Sequence, residues 1–260
     1  MTGSGIKSKA TKSTVVQQPG VDGSRGRLVL FSVDGTLIDG DSNSLYLRWQ
    51  LARRRSPLGE RARDFFWLTR YRLGVADINR LARRALGRLA GTPAATLAAR
   101  YRECHRVVVR GRIFEEARAT VAAHQRAGHT VAIVTGATVY AARPLAEDLG
   151  VNYIVANELH VEDGTLTGRV VPPLCHGDGK LKRVTALAEH LGLRIDDAIC
   201  YGNRGRDLPL LRRVRGPVAV NPDATLRKVA AEQHWPILTW QALAADNTVE
   251  ETSPAGPNPA

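Results

Sequence analysis

Cysteine is scarce in this chain of 260 residues, which has three, at Cys104, Cys175 and Cys200. Their odd number and irregular spacing argue against a disulfide scaffold and against a cysteine-ligated metal site. Long apolar runs are also missing, since the longest, around 131–142, is interrupted by threonine and glycine and is too short to span a bilayer. No apolar block follows the charged N-terminus, as a secretory signal would require. We therefore expect a cytoplasmic protein with reduced thiols and no transmembrane segment.

Lysine is absent between Ser42 and Arg112, a segment that contains seventeen arginines and four acidic residues. This segment accounts for most of the formal net charge of +12. Such an excess can attract nucleic acid, an anionic membrane or a small anionic ligand. No specific nucleic-acid motif accompanies it. We interpret most of these arginines as solvated helix faces, with several lining an anion entrance as the alternative.

Both ends of the chain lack a periodic apolar pattern. Residues 1–26 are mostly Gly, Ser, Thr, Lys and Gln, and residues 245–260 are acidic and then rich in proline. Such segments cannot bury enough apolar surface to offset the entropy of ordering them. We expect a disordered basic tail over 1–26 and a second disordered tail over 245–260.

The ordered body alternates between strand and helix signals after an early helical insertion. A buried strand is predicted over 27–31, followed by helical periodicity only over 44–112. Further strands are predicted over 129–134, 153–155, 198–201 and 217–220, with a hairpin about Asp163-Gly164 and helices between them. This order predicts an α/β fold with a doubly wound parallel sheet. We expect a core made of 27–43 and 113–244, and an all-helical, arginine-rich cap over 44–112.

Polar segments follow several of these strands, and the carboxyl ends of parallel strands are where such folds place their sites. In order and spacing, four segments resemble the motifs of the haloacid dehalogenase (HAD) superfamily, in the subclass close to phosphoserine phosphatases. The resemblance covers essentially the whole body and implies a Rossmann-like core with a small helical cap. The four segments are Ser32-Val33-Asp34-Gly35-Thr36-Leu37, Thr135-Gly136-Ala137, Gly179-Lys180, and Tyr201-Gly202-Asn203-Arg204 with Asp207.

The resemblance assigns roles to matching positions. Asp34 takes the place of the family's general acid and base, and position 32 is that of the nucleophile. Thr135, with Gly136 beside it, and Lys180 take the places that hold the phosphate oxygens. Mg²⁺ is the implied cofactor, and its ligands would come from Asp34, position 203 and Asp207.

Two positions depart from the family pattern. Ser32 replaces the aspartate nucleophile, and Asn203-Arg204 replaces an aspartate followed by a small residue. The formal charge of the site rises from about −3 in the family to about zero, because Asp34 and Asp207 now face Lys180 and Arg204. We expect Mg²⁺ binding to be weak or lost.

Three functions fit these residues. The first is a phosphoserine-phosphatase-like pseudoenzyme that binds a phosphorylated or other anionic small ligand through Thr135, Gly136, Lys180 and Arg204, with hydrolysis absent or very weak. The second is an active Mg²⁺-dependent phosphomonoesterase in which Asp34 activates water. The third is a non-enzymatic binder of an anionic polymer or membrane through the cap. The sequence leaves the oligomeric state open.

Overall fold

The structure is a computed structural model that describes residues 16–17, 26–53 and 86–241. The predicted tails lie outside the described residues except for 16–17 and 26, and so does the middle of the predicted cap, 54–85. The predictions for those parts, and the predicted domain boundaries, stay predictions.

A seven-stranded sheet forms the centre of the described structure. The strands of this sheet are β1 Val16–Gln17, β2 Leu28–Ser32, β3 Thr130–Thr138, β4 Tyr153–Asn157, β7 Ile199–Gly202, β8 Gly216–Val220 and β9 Ile237–Leu238, while β5 Leu159–Glu162 and β6 Thr165–Val170 form a separate hairpin. The strand order is β1-β4-β3-β2-β7-β8-β9, and every neighbouring pair is parallel except β1 with β4. The predicted α/β fold with a doubly wound, Rossmann-like sheet is thereby confirmed.

Strand β2 lies in the middle of the sheet because its apolar run can be buried on both faces. Successive side chains point to opposite faces, so Leu28 and Leu30 join one apolar cluster while Val29 and Phe31 join the other. Helices cover both clusters. The helices of the core are α3 Glu115–Arg126 and α4 Val139–Asp148 on the Phe31 face, and α5 Asp178–His190, α6 Leu208–Leu211 and α7 Ala224–Glu232 on the Leu30 face.

The described parts of the predicted cap are helical. Helix α1 is Ser42–Arg53 and helix α2 is Ala94–Cys104, which continues as a π-helical turn and a 3₁₀ turn up to Arg112. Where these parts join the core, Asp39 N–H donates to the Arg112 carbonyl at 2.8 Å and Phe114 N–H donates to the Leu37 carbonyl at 3.1 Å.

The hairpin β5–β6 fastens the start of helix α2. Gly91 N–H donates to the Leu166 carbonyl, Leu166 N–H to the Thr92 carbonyl, and Ala94 N–H to the Gly164 carbonyl, each at 2.9 Å. Leu97 of α2 packs with Leu159 and Leu166 of the hairpin in a third apolar cluster. Helix α2 is therefore held by the hairpin at one end and by the core connection at the other.

The structure differs from the sequence prediction at two places. Strand β3 runs to Thr138 rather than ending at Val134, with a shift of register against β4 in between. Val16–Gln17 pairs with β4 inside the segment predicted to be a tail. Helix α7 begins after Asp223, whose side chain caps it by accepting the Leu226 N–H at 2.8 Å.

Among the described helices, none combines the length and the apolar character that crossing a bilayer requires.

A chain of ring contacts connects the end of helix α3 to the sheet. The two ring nitrogens of His124 lie 2.9 Å from the Tyr201 hydroxyl and 2.9 Å from Nδ1 of His129, and the Tyr201 ring stacks on Phe31 at 4.4 Å. A hydrogen bond between two imidazoles requires that at least one of the facing nitrogens be unprotonated. Burial, and then the His129 charge, lower the pKa of His124.

We expect stability to fall as the pH drops through the ordinary histidine pKa of about 6.5. Below that pH, His124 is protonated in the unfolded chain but stays largely unprotonated in the folded chain, because its pKa there is lower. The equilibrium therefore shifts towards unfolding. The loss for His124 is at most about 1.4 kcal/mol for each unit by which its pKa is lowered. Urea unfolding at pH 8, 7, 6 and 5 measures it. The variant His124→Phe, which cannot titrate, should show a shallower fall than the natural chain, and an equally steep fall would contradict the assignment.

Candidate functional site

The carboxyl ends of three adjacent strands form the site. Strand β2 lies between β3 and β7, so the segments that leave these strands meet at one edge of the sheet. Ser32 is the last residue of β2, is half-buried, and pairs in register with Val134 of β3. The first, second and fourth predicted motifs thus converge as expected from their positions after parallel strands.

Asp34 lies just beyond β2 and is buried. Its Oδ1 accepts the backbone N–H of Ser42, the first residue of α1, at 2.9 Å. Its Oδ2 lies 3.6 Å from a guanidinium nitrogen of Arg206. Burial raises the pKa of Asp34, and the charge of Asp41 adds to that rise. The carboxyl group is therefore connected both to the cap and to the fourth motif.

Lys180 and Asp207 form a buried ion pair. Lys180 lies in the first turn of α5, and its Nζ is 2.5 Å from Asp207 Oδ1, with the two residues only 4% and 2% exposed. Burial works against both charges, but their mutual attraction prevails, so the pKa of Lys180 is raised and that of Asp207 is lowered. Both groups are therefore ionised at neutral pH.

Thr135 and Gly136 occupy the end of β3. The Thr135 hydroxyl is buried and accepts the Ala137 N–H at 3.1 Å, so its own proton can be donated elsewhere. Gly136 is exposed, and its carbonyl accepts a bond of 2.6 Å from the Asn157 side-chain amide. A hydroxyl and an exposed backbone segment thus lie at the edge where the motifs meet.

Asn203 packs directly against the turn after β2. A Cβ added at Gly35 would fall 2.0 Å from Asn203 Nδ2, and Gly35 has a φ of +69°, so glycine is required there on both counts. Asn203 Oδ1 is buried and has no hydrogen-bond partner among the described residues. The position therefore offers one neutral oxygen to the site.

The arginine that the structure brings to Asp34 is Arg206, whereas the sequence predicts Arg204. The Nε of Arg204 is buried and makes no hydrogen bond within the described chain. Arg206 belongs to the 3₁₀ turn Gly205–Asp207, and its side chain is 31% exposed. Two arginines stand two residues apart in this motif, and the direction of each side chain depends on the backbone of that turn.

His176 is a further residue of this region, and the site residues predicted from the sequence do not include it. It precedes α5, and its Nε2 is buried without a hydrogen-bond partner among the described residues. Its pKa is lowered by burial first, and then by the charges of Arg206 and Lys180. The only sequence signal for it is its place four residues before Lys180.

The oxygen donors at this edge do not fit Mg²⁺. Asp34 is paired with Arg206, Asp207 with Lys180, and Asn203 supplies a neutral amide oxygen. Within residues 16–17, 26–53 and 86–241, no group of three or more His, Cys, Asp or Glu side chains could hold a metal ion. Mg²⁺ requires hard, largely anionic oxygens in near-octahedral order.

Residues 29–212 match the haloacid dehalogenase-like hydrolase family. The chain belongs to this family, in agreement with the resemblance seen in its motifs and with the fold. Phosphatases of the HAD family generally use Mg²⁺ and act on phosphorylated small molecules.

The chain is similar to named phosphatases within this family. It is 30% identical over 241 residues to a probable phosphatase of Mycobacterium tuberculosis, an alignment that covers 90% of this chain and 82% of that protein. It is 31% identical to a phosphoserine phosphatase of the same organism, with 80% of this chain and 68% of that protein covered. A protein with unknown function from Bordetella pertussis Tohama I has a similar structure, with a TM-score of 0.75, 30% identity, and coverage of 82% of this chain and 98% of that one. These similarities support the phosphoserine-phosphatase-like subclass.

Proposed function

We propose that this protein binds a phosphorylated or other anionic small ligand at the carboxyl edge of its sheet and does not hydrolyse it by the covalent route of its family. The observation that carries the proposal is Ser32 at the end of β2, in the nucleophile position. An alcohol needs a base to attack phosphorus, and a phosphoserine lacks the labile acyl-phosphate bond of an aspartyl phosphate. An intermediate on Ser32 would therefore not turn over at a useful rate.

The same edge of the sheet keeps groups that suit an oxyanion. An ammonium has three N–H donors, and the structure records one acceptor for Lys180, Asp207 Oδ1, so a ligand oxygen can accept from another. The Thr135 hydroxyl can donate its proton. Hydrogen bonds from charged donors to phosphate are about twice as strong as those between neutral groups. These donors support phosphate binding without a metal ion.

The burial of Asp34 favours a second candidate, a phosphomonoesterase in which Asp34 activates water directly. Its raised pKa suits a group that gives and takes protons near neutral pH. This candidate predicts Mg²⁺-dependent hydrolysis that survives Ser32→Ala and disappears in Asp34→Asn. Binding of an anionic polymer or membrane through the arginines of the cap is the third candidate, and exposed Arg106 and Arg110 are among the side chains it would use.

The test combines a binding measurement with an activity assay on the full chain. Titration calorimetry with inorganic phosphate should show binding, and p-nitrophenyl phosphate with Mg²⁺ should show no turnover above the uncatalysed rate. Thr135→Val, which removes one donor, should weaken phosphate binding by about tenfold, as expected for one hydrogen bond to a charged ligand. Thr135→Ser keeps the hydroxyl and should restore it.

Two results would contradict the proposal. One is hydrolysis that depends on both Mg²⁺ and Asp34. The other is equal phosphate affinity in Thr135→Val and in the natural chain.

A further inference from the structure

Arg206 lies at the centre of the charged groups of the site. It immediately precedes Asp207 in the 3₁₀ turn Gly205–Asp207, and its guanidinium is 3.6 Å from Oδ2 of the buried Asp34. This separation is longer than a hydrogen bond, so the contact is an ion pair held by charge. A guanidinium carries five N–H donors, so an oxygen of a third group can approach it beside Asp34.

The charge of Arg206 affects the pKa of several neighbouring groups of the site. The pKa of Asp207 is lowered mainly by Lys180, against the effect of burial, and Arg206 lowers it further. The pKa of His176 is lowered first by burial and then by the charge of Arg206. Burial and, to a smaller extent, Arg206 also act to lower the pKa of Lys180, but the attraction of Asp207 outweighs them. A single cation therefore acts on both carboxylates and on both neighbouring basic groups.

A fixed guanidinium in this position opposes a divalent cation at the same edge of the sheet. Of Asp34 and Asp207, Asp34 is the one that is not paired with Lys180, and it faces Arg206. A divalent ion beside Asp34 would be repelled by the arginine at close range in a buried site, where charges interact strongly. A guanidinium also binds oxyanions well, because its planar fork of donors matches two oxygens at once.

We propose that the Arg206 guanidinium takes over the electrostatic role that a divalent cation has in HAD phosphatases. It places a positive charge beside Asp34 and attracts the oxyanion of the ligand, so anion binding needs no metal and metal binding beside Asp34 is opposed. The claim that Arg206 binds the anion without a metal, the anion half of this inference, rests on the proposed function. The claim that Arg206 opposes metal binding, the metal half, rests on the ion pair alone.

The anion half is tested by phosphate binding in the presence of EDTA. The natural chain should bind inorganic phosphate equally with EDTA and with Mg²⁺, within twofold. Arg206→Gln should lose about tenfold or more in affinity, and Arg206→Lys, which keeps the charge and loses the fork, should fall between. Arg212→Gln removes an exposed arginine of the same segment as a matched control and should change affinity less than twofold. Arg204→Gln should cost less than Arg206→Gln.

The metal half is tested with Mn²⁺ as a spectroscopic probe in a chain whose carboxylates are restored. The variant Ser32→Asp/Asn203→Asp provides the background, and free Mn²⁺ is counted by electron paramagnetic resonance. Adding Arg206→Gln should raise Mn²⁺ affinity by about tenfold or more, whereas adding Arg212→Gln should change it less than twofold. Circular dichroism confirms that each variant is folded.

The outcomes separate this inference from the proposed function. If the natural chain binds phosphate but Arg206→Gln and Arg212→Gln bind it equally, Arg206 has no such role while the proposed function survives. A tenfold gain in phosphate affinity on adding Mg²⁺ to the natural chain also overturns the inference. Absence of phosphate binding in the natural chain overturns the proposed function and the anion half, and the Mn²⁺ titration then decides the metal half.

Discussion

Replacing Lys180 by methionine is expected to destabilise the fold by about 3–5 kcal/mol, the usual cost of removing one partner of a buried ion pair. Asp207 is 2% exposed and would remain buried without the ammonium that faces it at 2.5 Å. The methylene stem of lysine is largely replaced by that of methionine, so lost packing contributes little. Urea unfolding followed by circular dichroism measures the free energy of unfolding.

A second variant separates the charge from the packing. Lys180→Met/Asp207→Asn removes both charges and keeps an oxygen that can accept the N–H groups of Asn203 and Arg204, so most of the stability should return. Lys228→Met breaks an exposed pair with Glu232, in which the lysine side chain is 78% exposed, and should cost less than about 1 kcal/mol. If Lys180→Met lowers the free energy of unfolding as little as Lys228→Met does, the buried ion pair does not contribute the expected stability.

Restoring the missing carboxylates is expected to create a phosphatase. The change Ser32→Asp supplies an attacking group that forms a labile acyl phosphate, and Asn203→Asp with Arg204→Ser restores the family pattern at the fourth motif. Hydrolysis of p-nitrophenyl phosphate with Mg²⁺ should rise by about 100-fold or more over the natural chain, within the range of such catalytic groups. Because Arg206 still faces Asp34, adding Arg206→Gln should raise the Mg²⁺-dependent rate further.

The gain must depend on chemistry at the restored positions. Adding Asp34→Asn to the restored variant should abolish the new activity, and chelating Mg²⁺ should do the same. If the natural chain already hydrolyses the substrate as fast as the restored variant, Ser32 is no obstacle to hydrolysis. Activity that also survives Ser32→Ala and disappears in Asp34→Asn would then identify the second candidate function.

Much of the fold follows from local patterns. The apolar run before Ser32 predicts a strand buried on both faces, and the Asp163-Gly164 pair predicts a hairpin turn. In the structure these two residues have φ angles of +46° and +75° and lie between the paired strands β5 and β6. Alternating strands and helices imply a parallel sheet, and a parallel sheet brings the residues after its strands to one edge. The convergence of the site around Asp34 was predictable for that reason.

Other features depend on side-chain directions that spacing does not determine. Arg204 and Arg206 are both plausible partners of Asp34 in the sequence, and only the 3₁₀ turn Gly205–Asp207 decides that Arg206 faces it. The extension of β3 through Gly136 was missed because glycine usually interrupts a strand. The pairing of Lys180 with Asp207 joins residues on separate elements, so no local pattern reveals it.

The fastening of helix α2 at both ends makes this helix move with its neighbours. The three backbone hydrogen bonds to the hairpin and the two bonds at the core connection must all be broken before the helix can move as a unit. A helix held in this way is lost together with the hairpin and the core connection, in one cooperative step, rather than by gradual fraying from one end.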